Sequence, residues 1–403
     1  MTLSGTVSMA AARSIDWDVI VIGAGVAGAV AAREIGRRQH RVLLIDKRNH
    51  PRRKVCGCCL NQAALSVLDQ LDLGAAVRRL GGSTIDRFAV SSGSRTLNLS
   101  LPAGLAVSRE ALDTLLIEEA IASGVEFLPD TIARIAGPQS TKHQVELTRP
   151  GQTFLIAAKA IVVATGLEGV GASTSKEWAT KEWTTTTDSS SHIGAGCTIP
   201  DDSHEFGPGT IWMAVGKGGY VGLVRVENNQ LNIAAAFDRA FMRRSGSPAA
   251  AAQRILQEAK FPQPANLSTA DWQGTLPLTR RTTPVAHNRV FLIGDAATYV
   301  EPFTGEGMAW ALRSGQGVAN WVSKSLTEIG TATDSACGWV REYEELVGKR
   351  QRFCRISTRL LRSQILMNIG LLVLASWPWL AKCLVKGINS RGTHGRLAHE
   401  CRL

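Results

Sequence analysis

Three glycines near the start of the chain have the spacing of a phosphate-binding turn. The stretch GAGVAG places Gly23, Gly25 and Gly28 between an apolar, β-branched run and an Ala-rich segment with helical periodicity. In that setting Gly23 permits a tight turn, Gly25 lets a diphosphate approach the backbone, and Gly28 allows close packing of helix on strand. Free amide groups at the helix N-terminus favour an anion. Asp46 ends the next predicted strand and can accept hydrogen bonds from both hydroxyls of a ribose, so the segment predicts a dinucleotide site.

A second glycine-rich turn lies late in the chain, in RVFLIGDAATYVEPFTGEGMAWAL. A predicted buried strand is followed by Gly294 and Asp295, and a helix begins after Gly305 and Gly307. The simpler interpretation is a loop that caps a helix, because glycines often mark such loops. The alternative is a second part of the dinucleotide site.

Together the two motifs resemble the flavoprotein superfamily of aromatic hydroxylases, geranylgeranyl reductases and flavin halogenases, over about residues 16–330. The resemblance implies bound FAD and a role for each turn. Asp295 would hydrogen-bond the ribityl or diphosphate part, Pro302 would lie against the isoalloxazine ring, and Gly305 to Met308 would pass its pyrimidine edge. The expected FAD contacts are Gly23, Ala24, Gly25, Gly28, Asp46, Lys47, Arg109, Gly166, Asp295, Pro302, Gly305, Gly307 and Met308.

Elementary electrostatics supports this placement of the flavin. A reduced flavin carries negative charge near its N1/O2 edge, and a helix N-terminus near Gly307 presents amide groups and a partial positive charge. Glu306 does not suit this arrangement, because its carboxylate would stand beside an anionic ring. It either points away from the ring or donates a proton, and the sequence leaves both alternatives open.

Two further segments carry candidate chemistry. Arg109 begins a predicted helix in VSREALDTLL that Ser108 caps, and the resemblance implies contact with the FAD phosphates; an exposed structural arginine is the alternative. RRKVCGCCL, residues 52–60, resembles the K-x-C-G segment near the flavin in geranylgeranyl-reductase-like members. Its cysteines are either redox-active or part of a close-packed turn, and the sequence shows no helix N-terminus or base that would lower their pKa.

The resemblance leaves several reactions open. The leading expectation is hydroxylation of an apolar or phenolic molecule, polyketide- or lipid-like, through a flavin C4a-hydroperoxide, with NADH or NADPH as external reductant. The alternatives are geranylgeranyl-reductase-like reduction of isoprenoid double bonds, with hydride from flavin N5, and electron transfer to a membrane quinone. The chain has Thr165-Gly166 where aromatic hydroxylases carry Asp-Gly, and the halogenase WxWxIP pattern is missing. No catalytic residue is assigned.

The predicted architecture is α/β, with a discontinuous Rossmann-like FAD-binding domain, a β-rich substrate domain and a helical C-terminal tail. Apolar β-branched runs that alternate with Ala-rich segments indicate parallel strands covered by helices. The FAD-binding domain is predicted at 14–85, 103–170 and 276–330, the substrate domain at 86–102 and 171–275, and the tail at 331–403. The polar segment after residue 172 is expected to be a connecting loop.

Charge is concentrated at the C-terminus. The net charge is +11, and residues 349–403 contain eleven Lys or Arg and a single acid, Glu400. A charge-free run at 365–381 lies between these basic residues; a buried or interfacial helix is expected there, with a membrane span as second choice. The expected partners are a hydrophobic small molecule and a membrane surface, without nucleic acid or metal. The expected location is cytoplasmic, or peripheral on the inner face of the membrane.

Overall fold

A computed structural model describes residues 2–174, 178, 182–201, 203, 205–301, 305–327, 332–348, 351, 354, 364–377 and 379–380. The strands are β1 (Trp17–Ile22), β2 (Val42–Ile45), β3 (Cys59–Leu60), β4 (Ser83–Ser92), β5 (Arg95–Ala106), β6 (Glu126–Leu128), β7 (Ile132–Gln139), β8 (Lys142–Arg149), β9 (Gln152–Val163), β10 (Thr184–Thr187), β11 (Ile193–Pro200), β12 (Thr210–Gly216), β13 (Gly219–Arg225), β14 (Gln230–Phe237), β15 (Gln273–Pro277), β16 (Arg280–Thr283), β17 (Ala286–His287), β18 (Val290–Leu292) and β19 (Thr298–Tyr299). The helices are α1 (Met9–Ser14), α2 (Val26–Gly36), α3 (Gln62–Gln70), α4 (Gly74–Arg78), α5 (Arg109–Ala122), α6 (Arg239–Ser245), α7 (Pro248–Glu258), α8 (Gly307–Thr327), α9 (Ala332–Tyr343) and α10 (Gln364–Ser376), with a π-helical turn at Glu344–Gly348.

The first sheet carries the predicted dinucleotide motifs at one edge. Its strands run in the order β17-β18-β9-β1-β2-β6, and β7 and β8 form an antiparallel extension beside β9. Strands β18, β9, β1, β2 and β6 are parallel to one another. Their fully buried Val, Ile and Leu side chains explain the continuous apolar runs of the sequence. The carboxyl ends of the four strands β18, β9, β1 and β2 therefore meet at one edge.

The second sheet lies beside this edge and is mostly antiparallel. Its order is β15-β11-β14-β13-β12-β4-β5-β3. Strands β13 and β14 pair antiparallel as a hairpin, and Asn228 and Asn229 turn between them with φ of 55° each. Helix α7 covers one face of the sheet and buries Ile255 and Leu256 in a second hydrophobic core.

A small third sheet corrects one expectation. Residues 184–187 of the polar segment, expected to be loop, form β10, which pairs antiparallel with β16. Four consecutive threonines favour extended backbone, and this β-propensity outweighs the polarity on which the loop expectation rested. Strand β16 also pairs with β19, so the sheet borders the second glycine-rich turn.

Helices at the C-terminus pack on both sheets. Trp339, Tyr343 and Val347 form the buried face of this region and lie in the first core. Within 365–381, residues up to Ser376 belong to α10, whose Met367 and Leu371 pack on β4 and β12. Among the helices in the described ranges, none has the length and apolar character needed to cross a bilayer.

Candidate functional site

One cavity of about 1380 Å³ lies between the first and second sheets. Its wall includes Gly25 and Ala27 from the first glycine-rich turn, and Gly305, Gly307 and Met308 from the second. The expectation that these distant turns lie along one groove is confirmed. The volume exceeds the roughly 300–1,000 Å³ of most ligand pockets, so the cavity has room for a dinucleotide and a second molecule.

The first glycine-rich turn follows β1. Gly23 has φ of +105°, and a Cβ on it would lie 2.4 Å from the Ala164 carbonyl oxygen. A Cβ on Gly28 would lie 1.8 Å from the Gly23 carbonyl oxygen. Gly25 is the N-cap of α2 and lies on the cavity wall. Only glycine fits the close backbone contacts at positions 23 and 28. The N-terminus of α2 is therefore open toward the cavity.

Asp46 is buried directly after β2. Its Oδ2 accepts a hydrogen bond from the Ala24 amide at 2.8 Å, and its Oδ1 accepts one from the Arg48 amide at 2.9 Å. Burial opposes ionisation, but His50 and Arg52, each 3.5 Å from Oδ2, and the Ala24 amide together lower the pKa of Asp46. The carboxylate is thus anionic and fixes the glycine turn, while its contact with a ribose stays a prediction. Its neighbour Lys47 lies on the wall and pairs with Glu168.

The turn after β9 faces the first glycine turn. Thr165, Gly166 and Glu168 lie on the cavity wall. Gly166 has φ of +66°, and a Cβ on it would lie 3.3 Å from Lys54 Nζ. Glycine adopts this left-handed conformation readily and has no side chain, so the space beside Lys54 stays clear.

The second glycine-rich motif follows β18. Gly294 has φ of +55°, and its amide donates a hydrogen bond to Ser314 Oγ on α8 at 3.0 Å. Asp295 lies on the cavity wall, and burial raises the pKa of its carboxyl despite the opposing charges of Lys54 and Arg109. Gly305, with φ of +71°, precedes the N-terminus of α8. Pro302 lies outside the described residues.

Two basic side chains lie close together where the N-terminus of α2 borders the cavity. Lys54 and Arg109 both lie on the wall, and a Cβ on Gly25 would lie 3.9 Å from Lys54 Nζ and 3.5 Å from an Arg109 guanidinium nitrogen. Arg109 is 7% exposed and forms a bidentate pair with Asp113 at 2.9 and 2.7 Å, so the alternative of an exposed arginine is wrong. Burial and the Arg109 charge lower the pKa of Lys54. This cluster and the helix N-terminus match a diphosphate, so the residues present fit FAD.

The cysteine loop also lines the cavity. Cys56, Cys58 and Cys59 are on the wall, and the Cys58 amide donates a hydrogen bond to Cys56 Sγ at 3.4 Å. Hydrogen bonding from Cys58, with a contribution from Arg109, lowers the pKa of Cys56 to about 6 against the effect of burial. Burial raises the pKa of Cys59. The expectation that no group lowers the pKa of these thiols is wrong for Cys56 alone, where Cys58 has the largest effect and Arg109, from a helix far away in sequence, adds to it.

Beyond the cation cluster the cavity becomes apolar. Its wall there is drawn from β4, β5, β12 and α10 and includes Phe88, Leu97, Leu99, Met213, Met367 and Leu371. Strand β5 alternates, so that Leu97 and Leu99 face the cavity while Asn98 and Ser100 do not line it. We call this apolar part of the cavity the chamber. The charge-free run, expected to form a buried or interfacial helix, supplies α10 to the chamber wall.

Two side chains near the second glycine turn complete the site. The buried Glu306 carboxylate accepts a hydrogen bond from the Cys354 thiol at 3.2 Å, and Glu306 is not among the residues that line the cavity, which favours the alternative that it points away from the ring. Tyr299 lies on the cavity wall, and burial, with the nearby charges of Asp295, Cys56 and Glu301, raises the pKa of its hydroxyl. Sequence reasoning missed Tyr299 as a site residue.

The parallel sheet, its glycine turns and the facing antiparallel sheet define a dinucleotide-binding oxidoreductase fold. The profile of the FAD binding domain family matches residues 16–333. The chain therefore belongs to that family and is an FAD-dependent oxidoreductase.

Comparison with known proteins gives relatives of two kinds. By sequence, the chain is 27% identical over 321 residues to digeranylgeranylglycerophospholipid reductase 1 of Methanococcoides burtonii, covering 74% of this chain and 72% of the relative. It is 28% identical over 331 residues to a menaquinone reductase of Mycobacterium tuberculosis, covering 74% of each. By structure, it resembles the myxobacterial chondrochloren halogenase CndH, with a TM-score of 0.73, 19% identity, and coverage of 84% and 81%. It likewise resembles p-nitrophenol 4-monooxygenase of Pseudomonas putida, with a TM-score of 0.73, 14% identity, and coverage of 94% and 99%. The structural likenesses establish the fold.

Proposed function

We propose that the protein is a reductase that saturates carbon–carbon double bonds in the polyisoprenoid chain of a lipid or lipid-soluble quinone. The observation that carries this proposal is the chamber. It continues the dinucleotide groove without interruption, and aliphatic side chains dominate its wall. An apolar chain is the kind of molecule that such a surface holds.

The sequence relatives support the same class of substrate. Their names specify a digeranylgeranyl lipid and menaquinone. Both molecules combine a polar head with a long unsaturated isoprenoid chain. The alignments cover about three quarters of this chain, which makes them a better guide to substrate than structural likenesses below 20% identity.

Saturation of one double bond consumes two electrons and two protons. Bound FAD supplies the electrons when reduced, and NADH or NADPH is the proposed external reductant. The N-terminus of α2 with Lys54 and Arg109 would hold the diphosphate, and the chamber would align the chain and exclude water. Tyr299 lies on the cavity wall and keeps its proton at neutral pH, because burial raises the pKa of its hydroxyl. We assign it as the proton donor to the reacting carbon.

A direct test is anaerobic turnover in detergent micelles. The FAD-loaded protein, reduced with NADH, NADPH or dithionite, is mixed with a geranylgeranyl lipid or with menaquinone, and the product is analysed by mass spectrometry. We expect a gain of two hydrogen atoms per saturated bond. Quinone reduction with an unaltered side chain would instead indicate the electron-transfer alternative and contradict the proposal.

Oxygen insertion, the leading expectation from the sequence, is the second candidate. The same chamber favours it, because hydroxylation by reduced flavin also requires a site that excludes water. An aerobic arm of the experiment separates the two reactions. A product that gains an oxygen atom, formed only with oxygen present, would replace saturation by hydroxylation.

A further inference from the structure

Helix α10 has two apolar faces, and the described protein covers one of them. Met367 and Leu371 are buried against Val90, Met213 and Val215 and form part of the chamber wall. Exposed fractions are 50% for Ile369 and 46% for Leu372 on the opposite side of α10, and 62% for Trp379 just after the end of the helix. We call Ile369, Leu372, Trp377 and Trp379 the outer face.

The outer face concentrates exposed hydrophobic side chains more than the rest of the described surface does. Eight large hydrophobic side chains are exposed in the described ranges, and four of them lie within residues 369–379. The other four are dispersed over residues 132, 155, 276 and 340. Exposed apolar side chains concentrated in one short segment mark a surface that meets an apolar partner.

Charge identifies the partner. Residues 349–403, on both sides of α10 in sequence, carry eleven basic residues and one acidic residue. The basic residues are Lys349, Arg350, Arg352, Arg355, Arg359, Arg362, Lys382, Lys386, Arg391, Arg396 and Arg402. Tryptophan side chains favour the boundary between hydrocarbon and headgroups, and Lys and Arg favour anionic headgroups. We propose that the outer face lies in the surface of an anionic lipid bilayer, and that the chamber receives its substrate from that bilayer.

The geometry of α10 favours a helix that lies on the membrane. Thirteen residues span about 20 Å along the axis, less than the roughly 30 Å hydrocarbon thickness. Ile369 both lines the cavity and is half exposed, so it stands on the rim where the chamber meets the outer face. With the outer face in the bilayer, an isoprenoid chain reaches the chamber without passing through water. This step rests on the proposed function.

Vesicle co-sedimentation of the full-length, FAD-loaded protein tests the proposal. The test variant is Leu372→Ser combined with Trp379→Ser, two exposed positions that do not line the cavity. The matched control is Ile132→Ser combined with Leu155→Ser, which removes exposed apolar side chains from β7 and β9. Vesicles of phosphatidylcholine alone are compared with vesicles that also contain phosphatidylglycerol. Circular dichroism and FAD content verify that both variants fold.

We expect the wild type and the control to bind the anionic vesicles and the test variant to bind about tenfold less. Equal binding by the test variant and the wild type, or binding of the wild type to neither vesicle, would overturn the proposal. A change from dimer to monomer in the test variant, seen by sedimentation velocity, would assign the outer face to a second copy instead. Turnover in micelles is expected to be equal in all three proteins. If the wild type binds vesicles but saturates no substrate in micelles, the proposed function is wrong, whereas the proposed membrane binding by the outer face is retained.

Discussion

Gly315 on α8 packs directly against the backbone of Ala27 on α2. A Cβ on Gly315 would lie 2.5 Å from the Ala27 carbonyl oxygen. Each helix begins at one of the two glycine-rich turns, so this contact sets the distance between the turns. The continuity of the groove therefore depends on a residue that does not line it.

Gly315→Val should separate these two helices. Because the clash is with backbone, we expect a loss of about 1–3 kcal/mol in the free energy of unfolding and weaker FAD binding. Urea unfolding and FAD titration measure the two effects. Gly207→Val is the control, since a Cβ on Gly207 meets open space. Unchanged stability and FAD affinity in Gly315→Val would show that the helices do not set the groove.

Lys54→Met should weaken FAD binding about tenfold, or about 1.4 kcal/mol, because it removes a cation beside Gly25 and Gly166. Quenching of flavin fluorescence measures the dissociation constant. Lys159→Met, which removes a partly exposed lysine paired with Asp18 on β1, is the matched control. Equal affinities for the two variants would place the diphosphate elsewhere.

The sequence indicated much of this site because its residues follow buried parallel strands. Gly23, Asp46, Gly166 and Asp295 come after β1, β2, β9 and β18, and the carboxyl ends of such strands converge. Local patterns therefore sufficed for the dinucleotide groove. They did not suffice for Lys54, whose position beside two glycine turns depends on the path of an irregular loop.

Cys56 should react as a thiolate near pH 6. Its lowered pKa means that the thiolate fraction rises through about pH 6, against about 8.5 for an ordinary cysteine. The rate of iodoacetamide modification of Cys56, followed by peptide mass spectrometry from pH 5 to about 9, measures this midpoint.

Removal of the neighbouring thiol should shift that midpoint upward. Cys58→Ala deletes the hydrogen-bonding partner that lowers the pKa most, whereas Cys59→Ala leaves it in place. A wild-type midpoint near that of a free cysteine, or equal midpoints in the two variants, would contradict the assignment.

Tyr299→Phe should slow double-bond saturation about 100-fold, the usual size of a lost general acid, and leave FAD affinity unchanged. Reoxidation of the prereduced protein by substrate, under single-turnover conditions, measures the chemical step. Tyr343→Phe is the matched control, because Tyr343 is buried on α9 and is not among the residues that line the cavity. A normal rate in Tyr299→Phe would exclude it as the proton donor.

The chamber could not be read from local sequence. Leu97 and Leu99 show the alternation of a strand, and Met367 and Leu371 the spacing of a helix, but neither pattern says that the two elements face each other. Arg109 of α5 adds to the lowering of the Cys56 pKa, although the hydrogen bond from nearby Cys58 contributes most. Long-range contacts of this kind arise only from the packed fold.

The contacts of the last part of the chain have a consequence for synthesis. The Cys354 thiol donates a hydrogen bond to Glu306, and Gln351 donates one to the Thr298 carbonyl at 3.3 Å. Helix α10 closes the chamber. These segments follow both sheets in the chain, so a ribosome releases them after the strands that they cover. Until they emerge, the nascent polypeptide leaves the apolar wall of the chamber exposed to water, so synthesis of α10 and protection of that wall from aggregation coincide.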